Sequence, residues 1–123
     1  MISEVYVSYE VAKLLKEKGF DECIFEFYEG DRIKYAHNSK GFRPSELPDI
    51  YYPHITQQMA MKWLREIYQI DIQVFRHIRG KRITFYARIE QNTHLEHQDK
   101  CNLYQSYEQA CEAAIKYCLE NLI

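Results

Sequence analysis

Residues 82–90 alternate between apolar and polar side chains, and this period of two constrains the fold more than any other feature of the sequence. Successive side chains of a β-strand point to opposite faces of its sheet, so the alternation predicts a half-buried strand. Residues 70–76 alternate in the same way, and residues 77–81 link the two segments into a predicted hairpin. The side chains predicted to point inward are Ile70, Ile72, Val74, Ile83, Phe85, Ala87 and Ile89.

Three further segments show the period of an α-helix. They cover residues 8–18, residues 56–68, and the chain from residue 106 nearly to its C-terminus. Each begins with a Ser or Thr whose side-chain oxygen can accept a hydrogen bond from a free amide of the first turn, so these residues are predicted N-caps. The predicted buried faces comprise Val11, Ala12, Leu14 and Leu15 in the first helix, Met59, Ala60, Trp63, Leu64 and Ile67 in the second, and Ala110, Cys111, Ala114, Ile115, Cys118 and Leu122 in the third.

A second alternating pair of segments lies between the first two helices, over residues 25–28 and 32–35, and predicts another hairpin. Residues 38–55 hold all three prolines and show no period, so they are predicted to form a long loop. Residues 91–105 are polar and are likewise predicted to lack regular structure. The order α-β-β-α-β-β-α predicts an α+β fold with one four-stranded antiparallel sheet and three helices, in a single domain of residues 1–123.

Composition limits the classes of partner and of chemistry. The 16 bases and 18 acids give a net charge of -2, so a charged partner has to find a local patch. Four irregularly spaced cysteines and the lack of a long apolar run predict a soluble protein of a reducing cytoplasm, with no membrane partner. The sequence has no nucleophile elbow, phosphate-binding glycine loop or HExxH motif, which favours binding over catalysis and gives no reason to expect a cofactor.

The predicted outward side of the sheet mixes aromatic and charged residues, which are typical of protein interfaces. We predict that it binds a protein partner or a second copy of this chain, with Phe75, Tyr86, Arg88 and Tyr28 as the contact residues. Burial of this side under a helix, as a third layer, is the alternative. Its predicted members are Gln73, Phe75, Arg82, Thr84, Tyr86 and Arg88, together with Glu26 and Tyr28 from the first hairpin.

The same hairpin is strongly basic, since residues 76–88 contain five bases and no acid. The rest of the chain then carries 11 bases and 18 acids, a charge of -7. A single-stranded nucleic acid is therefore an alternative partner, because bases on such a patch can bind phosphates while an aromatic ring stacks on an unpaired base. In the opposing interpretation these arginines are solvated or pair with Glu26, Asp71 and Glu90. The predicted phosphate contacts are Arg76, Arg79, Lys81 and Arg82.

Two weaker candidates involve metal and thiol chemistry. His94, His97 and Cys101 have the spacing of possible zinc ligands, although no second pair completes the site. Cys111 and Cys118 lie on the apolar face of the predicted third helix, where a thiol is usually a small buried apolar group. A metal- or thiol-dependent enzyme therefore remains only the second alternative.

The predicted loop contains aromatic residues among its prolines. In one interpretation they form a binding surface whose presentation costs little entropy, and in the other they fold down over the edge of the core. The residues concerned are Phe42, Tyr51, Tyr52 and His54.

Three helical blocks carry a resemblance to other proteins: residues 7–20, residues 56–68 and residues 104–117. Together they resemble small uncharacterised proteins of phages and mobile elements of gut Bacteroidetes. The layout is also distantly similar to that of phage α/β/α sandwich proteins. The resemblance implies an origin and a fold, and it transfers no site residues.

Overall fold

The computed structural model describes residues 2–92, 94–98 and 103–123, and only the backbone of residues 95–98. The chain divides into two compact units, Met1–Thr56 and Gln57–Ile123. Each unit combines helix with its own antiparallel sheet. The α+β class and the three helices are thus confirmed, whereas the single four-stranded sheet is wrong. The single domain stays a prediction. No helix in the described residues has the length and apolar character needed to cross a membrane.

The first unit has a sheet of order β2-β1-β3, in which both neighbouring pairs are antiparallel. The predicted first helix and hairpin are present. The loop prediction for residues 38–55 is wrong in part, because that segment contains a short 3₁₀ helix and a strand. The elements are α1 (Tyr9–Glu17), β1 (Glu26–Glu29), β2 (Arg32–Tyr35), the 3₁₀ helix (Pro44–Glu46) and β3 (Tyr51–Pro53).

Helix α1 begins and ends where its sequence predicts. The Ser8 hydroxyl accepts a hydrogen bond from the Val11 amide at 3.2 Å. At the other end, Gly19 has φ +95°, a left-handed conformation that costs glycine little. The Phe20 amide then donates to the Leu15 carbonyl at 2.9 Å, which closes the helix and buries the Phe20 ring. Val11, Ala12 and Leu15 are buried as predicted, and Leu14 is half-buried.

The sequence does not predict strand β3, because the strand is only three residues long and ends in proline, which has no N–H to donate to the hydrogen bonds between strands. It pairs with β1, so that Tyr52 lies opposite Tyr28. A bridge between Ile24 and Phe42 ties the preceding chain to the same sheet through two backbone hydrogen bonds of 3.0 and 2.9 Å. The proline-rich segment is therefore tied to the sheet at Phe42 and at β3, and between these points it contains only the 3₁₀ helix as regular structure.

The second unit has a sheet of order β4-β5-β6, again antiparallel. The predicted second hairpin is confirmed, with longer strands and a turn of only Gly80 and Lys81 between them. Strand β6 lies in the stretch predicted to be irregular, where the sequence shows no apolar alternation to reveal a strand. The elements are α2 (Gln57–Tyr68), β4 (Ile70–Arg79), β5 (Arg82–Gln91), β6 (His94–Gln98) and α3 (Tyr107–Asn121).

Burial along the second hairpin decreases towards its turn. Ile70, Ile72, Ala87 and Ile89 are buried as predicted, and Val74 and Phe85 are half-buried. Ile83, however, is 49% exposed, and Ile78 opposite it is 56% exposed, so the inward prediction for Ile83 is wrong. Helices α2 and α3 both contact the hairpin. We attribute the exposed pair to strands that continue beyond the length these helices cover.

Helix α2 buries a different stripe from the predicted one. Gln57, Ala60, Met61 and Leu64, spaced i, i+3, i+4 and i+7, are buried together with Trp63. Met59 and Ile67, predicted to be buried, are exposed. The stripe was misplaced because its first member is a glutamine, whose buried amide donates to the Glu108 carbonyl and to Glu112 Oε2, each at 3.0 Å.

Helix α3 matches its prediction except at its C-terminus. The Ser106 hydroxyl accepts from the Gln109 amide at 3.1 Å, as an N-cap does. Leu122 is the C-cap residue and is only half-buried, while Leu119 in the last full turn is buried instead. The remaining predicted positions of this face are all buried: Ala110, Cys111, Ala114, Ile115 and Cys118.

Candidate functional site

The register of β4 and β5 determines which residues share the face opposite the buried isoleucines, here called the outer face. Because cross-strand partners point to the same side of a sheet, each pair forms one row of this face. The predicted members from the second hairpin all belong to it. The five rows, from the open end of the hairpin to its turn, are Asp71 with Glu90, Gln73 with Arg88, Phe75 with Tyr86, His77 with Thr84, and Arg79 with Arg82.

Two predicted members do not belong to the outer face. Glu26 and Tyr28 lie in β1, which is hydrogen-bonded to β2 and β3 in the separate sheet of the first unit. The Tyr28 hydroxyl donates to the Val7 carbonyl, so its role is to hold the first unit together. The prediction merged two hairpins into one sheet because sequence periodicity specifies strands but not their neighbours.

An aromatic pair forms the middle row of the outer face. The rings of Phe75 and Tyr86 stack with centroids 5.4 Å apart and planes 26° apart. The His77 ring approaches Tyr86 edge-on at 6.4 Å. Phe75 is 38% exposed and Tyr86 is half-buried, so within the described chain the pair is not fully covered. The exposed part of this stacked pair offers flat apolar surface to a ligand.

Charge is distributed unevenly along the outer face. At the open end, Arg88 Nε lies 3.0 Å from Glu90 Oε1, and Asp71 accepts a hydrogen bond from the Gln73 amide at 3.0 Å. Of the predicted pairings of basic residues with Glu26, Asp71 and Glu90, only that of Arg88 with Glu90 occurs among the described side chains. At the open end the guanidinium of Arg88 is therefore paired with one carboxylate, and Asp71 leaves this end with a net negative charge.

The turn end carries positive charge for which the described side chains supply no counterion. Arg79 and Arg82 lie directly opposite each other, an arrangement of like charges that is unfavourable by itself. Among the side chains that the structure describes, no carboxylate pairs with either guanidinium. Lys81 adds a charge in the turn, whereas Arg76, opposite Phe85, lies on the other face of the hairpin. The four predicted phosphate contacts thus share the end of the hairpin but not one face.

A cavity of about 140 Å³ adjoins this turn end. Its wall includes Thr84, which is only 4% exposed, and Leu103. Leu103 is brought there by its neighbour Tyr104, whose backbone exchanges two hydrogen bonds of 2.8 Å with Phe85. Sequence patterns do not predict this cavity, because Leu103 reaches the hairpin through contacts between distant segments of the chain. The prediction that residues 77–81 link the two strands is wrong for residues 77–79, which continue the alternation of β4. The lining residues are His77, Arg79, Arg82, Thr84 and Leu103.

The aromatic residues of the proline-rich segment lie against the first unit. The Tyr9 ring makes edge contacts with Tyr28 at 5.7 Å and with Tyr52 at 5.3 Å, and Lys16 Nζ lies 5.7 Å from the centre of the Tyr52 ring. Tyr51 and Phe42, like Tyr52, are half-buried. These contacts favour the interpretation in which the aromatic residues cover the edge of the core.

His54 lies in the same aromatic cluster. Its ring stacks on Tyr6 with centroids 4.1 Å apart, and its Nδ1 is buried 3.9 Å from Glu26 Oε1 without a hydrogen bond. Burial lowers the pKa of His54, and the Glu26 carboxylate opposes this with a smaller effect. The same carboxylate is the main cause of a raised pKa at Tyr6. The cluster therefore favours a neutral imidazole.

The metal and thiol candidates gain no support. His94 begins β6, only the backbone of His97 is described, and Cys101 lies outside the described residues. In the part of the chain that the structure describes, no three potential metal ligands lie together. Burial raises the pKa of Cys111 to about 11 and that of Cys118 to about 12, so neither thiol readily forms the nucleophilic thiolate.

Comparison with known proteins finds no relative for this chain. No protein-family model, no curated protein and no solved structure matches it. The resemblance to phage and mobile-element proteins stays a prediction, and any function has to be argued from the geometry of the chain itself.

Proposed function

We propose that this protein binds single-stranded nucleic acid through the outer face of its second hairpin. The observation that carries the proposal is the opposed pair Arg79 and Arg82, without a described counterion, two rows from the stacked rings of Phe75 and Tyr86. A phosphate relieves the repulsion between the guanidinium groups, and a base extends the aromatic stack.

Spacing along the face suits this division of roles. Residues two apart in a strand are separated by about 6.6–6.8 Å, so neighbouring rows lie about one such step apart. The aromatic row is followed by His77 with Thr84 and then by the arginine pair. A nucleotide can therefore place its base on the rings while its phosphate lies towards the turn. Stacking of one base on an aromatic side chain contributes about 1–3 kcal/mol.

A single strand fits better than a duplex because bases in a duplex are already stacked on one another and leave no free ring face. The net charge of -2 means that attraction comes from the hairpin alone. With about three to four basic side chains near the turn, the logarithm of the binding constant should fall with the logarithm of salt concentration with a slope of about -2 to -3.

The test is a fluorescence anisotropy titration of a labelled oligothymidylate that carries a 5′-hydroxyl, at several salt concentrations. Replacing both arginines, Arg79→Gln with Arg82→Gln, should weaken binding at least tenfold and reduce the salt slope by about 1.4. The matched control removes two positive charges from exposed positions of α2, Lys62→Gln with Arg65→Gln. Absence of binding at low salt, or equal weakening in both double variants, would overturn the proposal.

Self-association is the second candidate, and the order of charge along the face favours it. The aromatic row is the middle one of five, with Asp71 and Glu90 in the first row and Arg79 and Arg82 in the last. A two-fold axis through the middle row brings the acidic row of one copy onto the basic row of the other, as a self-complementary interface requires.

Sedimentation velocity tests this second candidate. If the protein is a dimer through this face, Tyr86→Ala with Arg88→Ala should shift its mass to that of the monomer, and an oligonucleotide should compete with dimer formation. A mass unchanged by the double substitution counts against self-association through the outer face.

A further inference from the structure

The cavity beside the hairpin turn has the composition of an anion site. Its described lining consists of two guanidinium groups, an imidazole, a buried threonine and one leucine, and no carboxylate is among these described residues. Its volume is about 140 Å³, whereas a single water molecule needs about 10–15 Å³. The cavity is therefore large enough for a polyatomic anion. The proposed function by itself requires only a positively charged surface, not a cavity.

We propose that this cavity binds one phosphate group. An arginine offers its N–H groups as a planar fork that matches two oxygens of a phosphate, and such charge-assisted hydrogen bonds are the strong ones. Arg79 and Arg82 line the cavity from opposite strands, so one anion can be bound by both. This also removes the electrostatic cost of opposing two like charges.

The polar lining supplies the remaining hydrogen bonds. Thr84 is buried at the cavity wall, and its hydroxyl can donate to a phosphate oxygen. His77 lies opposite Thr84 in the same row, and an imidazole carries an N–H donor in either protonation state. Leu103, itself 41% exposed, adds an apolar side chain to the lining.

The position of the cavity defines which part of a ligand it accepts. His77 and Thr84 form the row next to the aromatic pair, so a phosphate in the cavity lies one row from Phe75 and Tyr86. The same ligand can therefore place its base on those rings. The inference rests on the proposed function only for the source of the phosphate. Three sources are distinguished below: free inorganic phosphate, the terminal phosphate of a nucleic-acid strand, and an internal phosphate of that strand.

The first experiment uses inorganic phosphate alone. In two-dimensional ¹H–¹⁵N NMR spectra of the full chain, phosphate should shift the amide signals of residues 77–84 saturably, whereas sodium chloride of equal ionic strength should not. Arg82→Gln should weaken this binding at least tenfold, and Arg65→Gln on α2 should leave it unchanged. Shifts that do not saturate, that chloride reproduces, or that survive Arg82→Gln would overturn the inference.

Thr84 provides a more specific variant. Thr84→Val keeps the shape and removes the hydroxyl, so it should weaken phosphate binding several-fold, and Thr84→Ser should restore it. The NMR spectra themselves report whether each variant is folded. If a folded Thr84→Val variant binds phosphate as tightly as the parent, the assigned role of the hydroxyl is wrong.

Oligonucleotides identify the source of the phosphate and separate the two proposals. Tighter binding of a 5′-phosphorylated than of a 5′-hydroxyl oligothymidylate identifies a terminal phosphate. Equal binding of both, weakened in both by Thr84→Val, identifies an internal one. Binding of inorganic phosphate without binding of either oligonucleotide supports the cavity and contradicts the proposed function. If oligonucleotides bind, Thr84→Val does not affect that binding, and inorganic phosphate does not bind, the proposed function is supported and the phosphate site in the cavity is contradicted.

Discussion

Arg79 and Arg82 face each other directly across the two-residue turn of the second hairpin, with no described carboxylate to neutralise either. Like charges placed directly opposite on adjacent strands destabilise a hairpin, whereas opposite charges stabilise it by about 0.2–1 kcal/mol. The chain thus keeps an arrangement that is unfavourable for folding at the place where we propose that it binds an anion.

This relationship predicts that stability and binding respond in opposite directions to one substitution. Arg82→Glu should raise the free energy of unfolding by about 0.2–1 kcal/mol, because a carboxylate then lies opposite Arg79. The same change should abolish binding of phosphate and of oligonucleotide. Urea denaturation and anisotropy measure the two quantities. A variant that is destabilised, or that binds like the parent, contradicts the prediction.

His54 predicts a dependence of stability on pH. Its pKa in the folded protein lies below the ordinary value of 6.5, mainly because it is buried. The unfolded chain therefore takes up a proton first as the pH falls, and stability that is complete above pH 6.5 is lost below it. Comparing urea midpoints at pH 7.5 and pH 5 should show a smaller loss for His54→Phe than for the parent. Equal losses would mean that His54 does not contribute.

Gln57 predicts a cost for removing a buried amide. Its side chain donates to the Glu108 carbonyl and to the Glu112 carboxylate, so Gln57→Ala removes both hydrogen bonds of a buried amide and should lower the free energy of unfolding by about 1–3 kcal/mol. Arg65→Ala, at an exposed position of the same helix, should change it by no more than about 0.5 kcal/mol. Similar effects of the two substitutions would show that the amide is not held as described.

Two glycines with similar backbone conformations predict different tolerance of alanine. Gly41 has φ +71° and Gly30 has φ +60°, so either substitution costs about 1–2 kcal/mol through the left-handed conformation. A Cβ at Gly41 would additionally lie 2.5 Å from the Ile24 carbonyl oxygen, whereas a Cβ at Gly30 meets nothing within 4 Å. Thermal denaturation should therefore give Gly41→Ala the lower midpoint. A lower midpoint for Gly30→Ala than for Gly41→Ala would contradict the close approach of the Ile24 carbonyl to Gly41.

The buried cysteines predict slow alkylation. Relative to the usual value of 9.0, a pKa of about 11 at Cys111 corresponds to an about 100-fold smaller thiolate fraction, and at Cys118 the fraction is smaller still. Cys23 is exposed. Mass spectrometric mapping after brief treatment with iodoacetamide at pH 8 should find Cys23 modified well before either helix thiol. Fast modification of Cys111 would contradict this prediction and support the alternative of a thiol-dependent enzyme.

Local signals predicted most of the individual elements. Ser8 and Ser106 cap helices as expected, and alternation located both hairpins, because caps and periodicity arise from neighbours in sequence. The interface candidates Phe75 and Tyr86 lie on one face as predicted, because successive side chains of a strand point to alternate faces of the sheet. Elements without such a signal, β3 and β6, were missed.

The sequence by itself determined the three helices, the two hairpins, and the grouping of aromatic and basic residues on one side of the second hairpin. Only the tertiary structure decided that the hairpins belong to separate sheets, that Gln57 is buried, and that Leu103 meets Thr84 beside two arginines. The physical reason is distance along the chain. Periodicity and capping act within a few residues, whereas sheet pairing and the walls of a cavity depend on contacts between segments that no local pattern encodes.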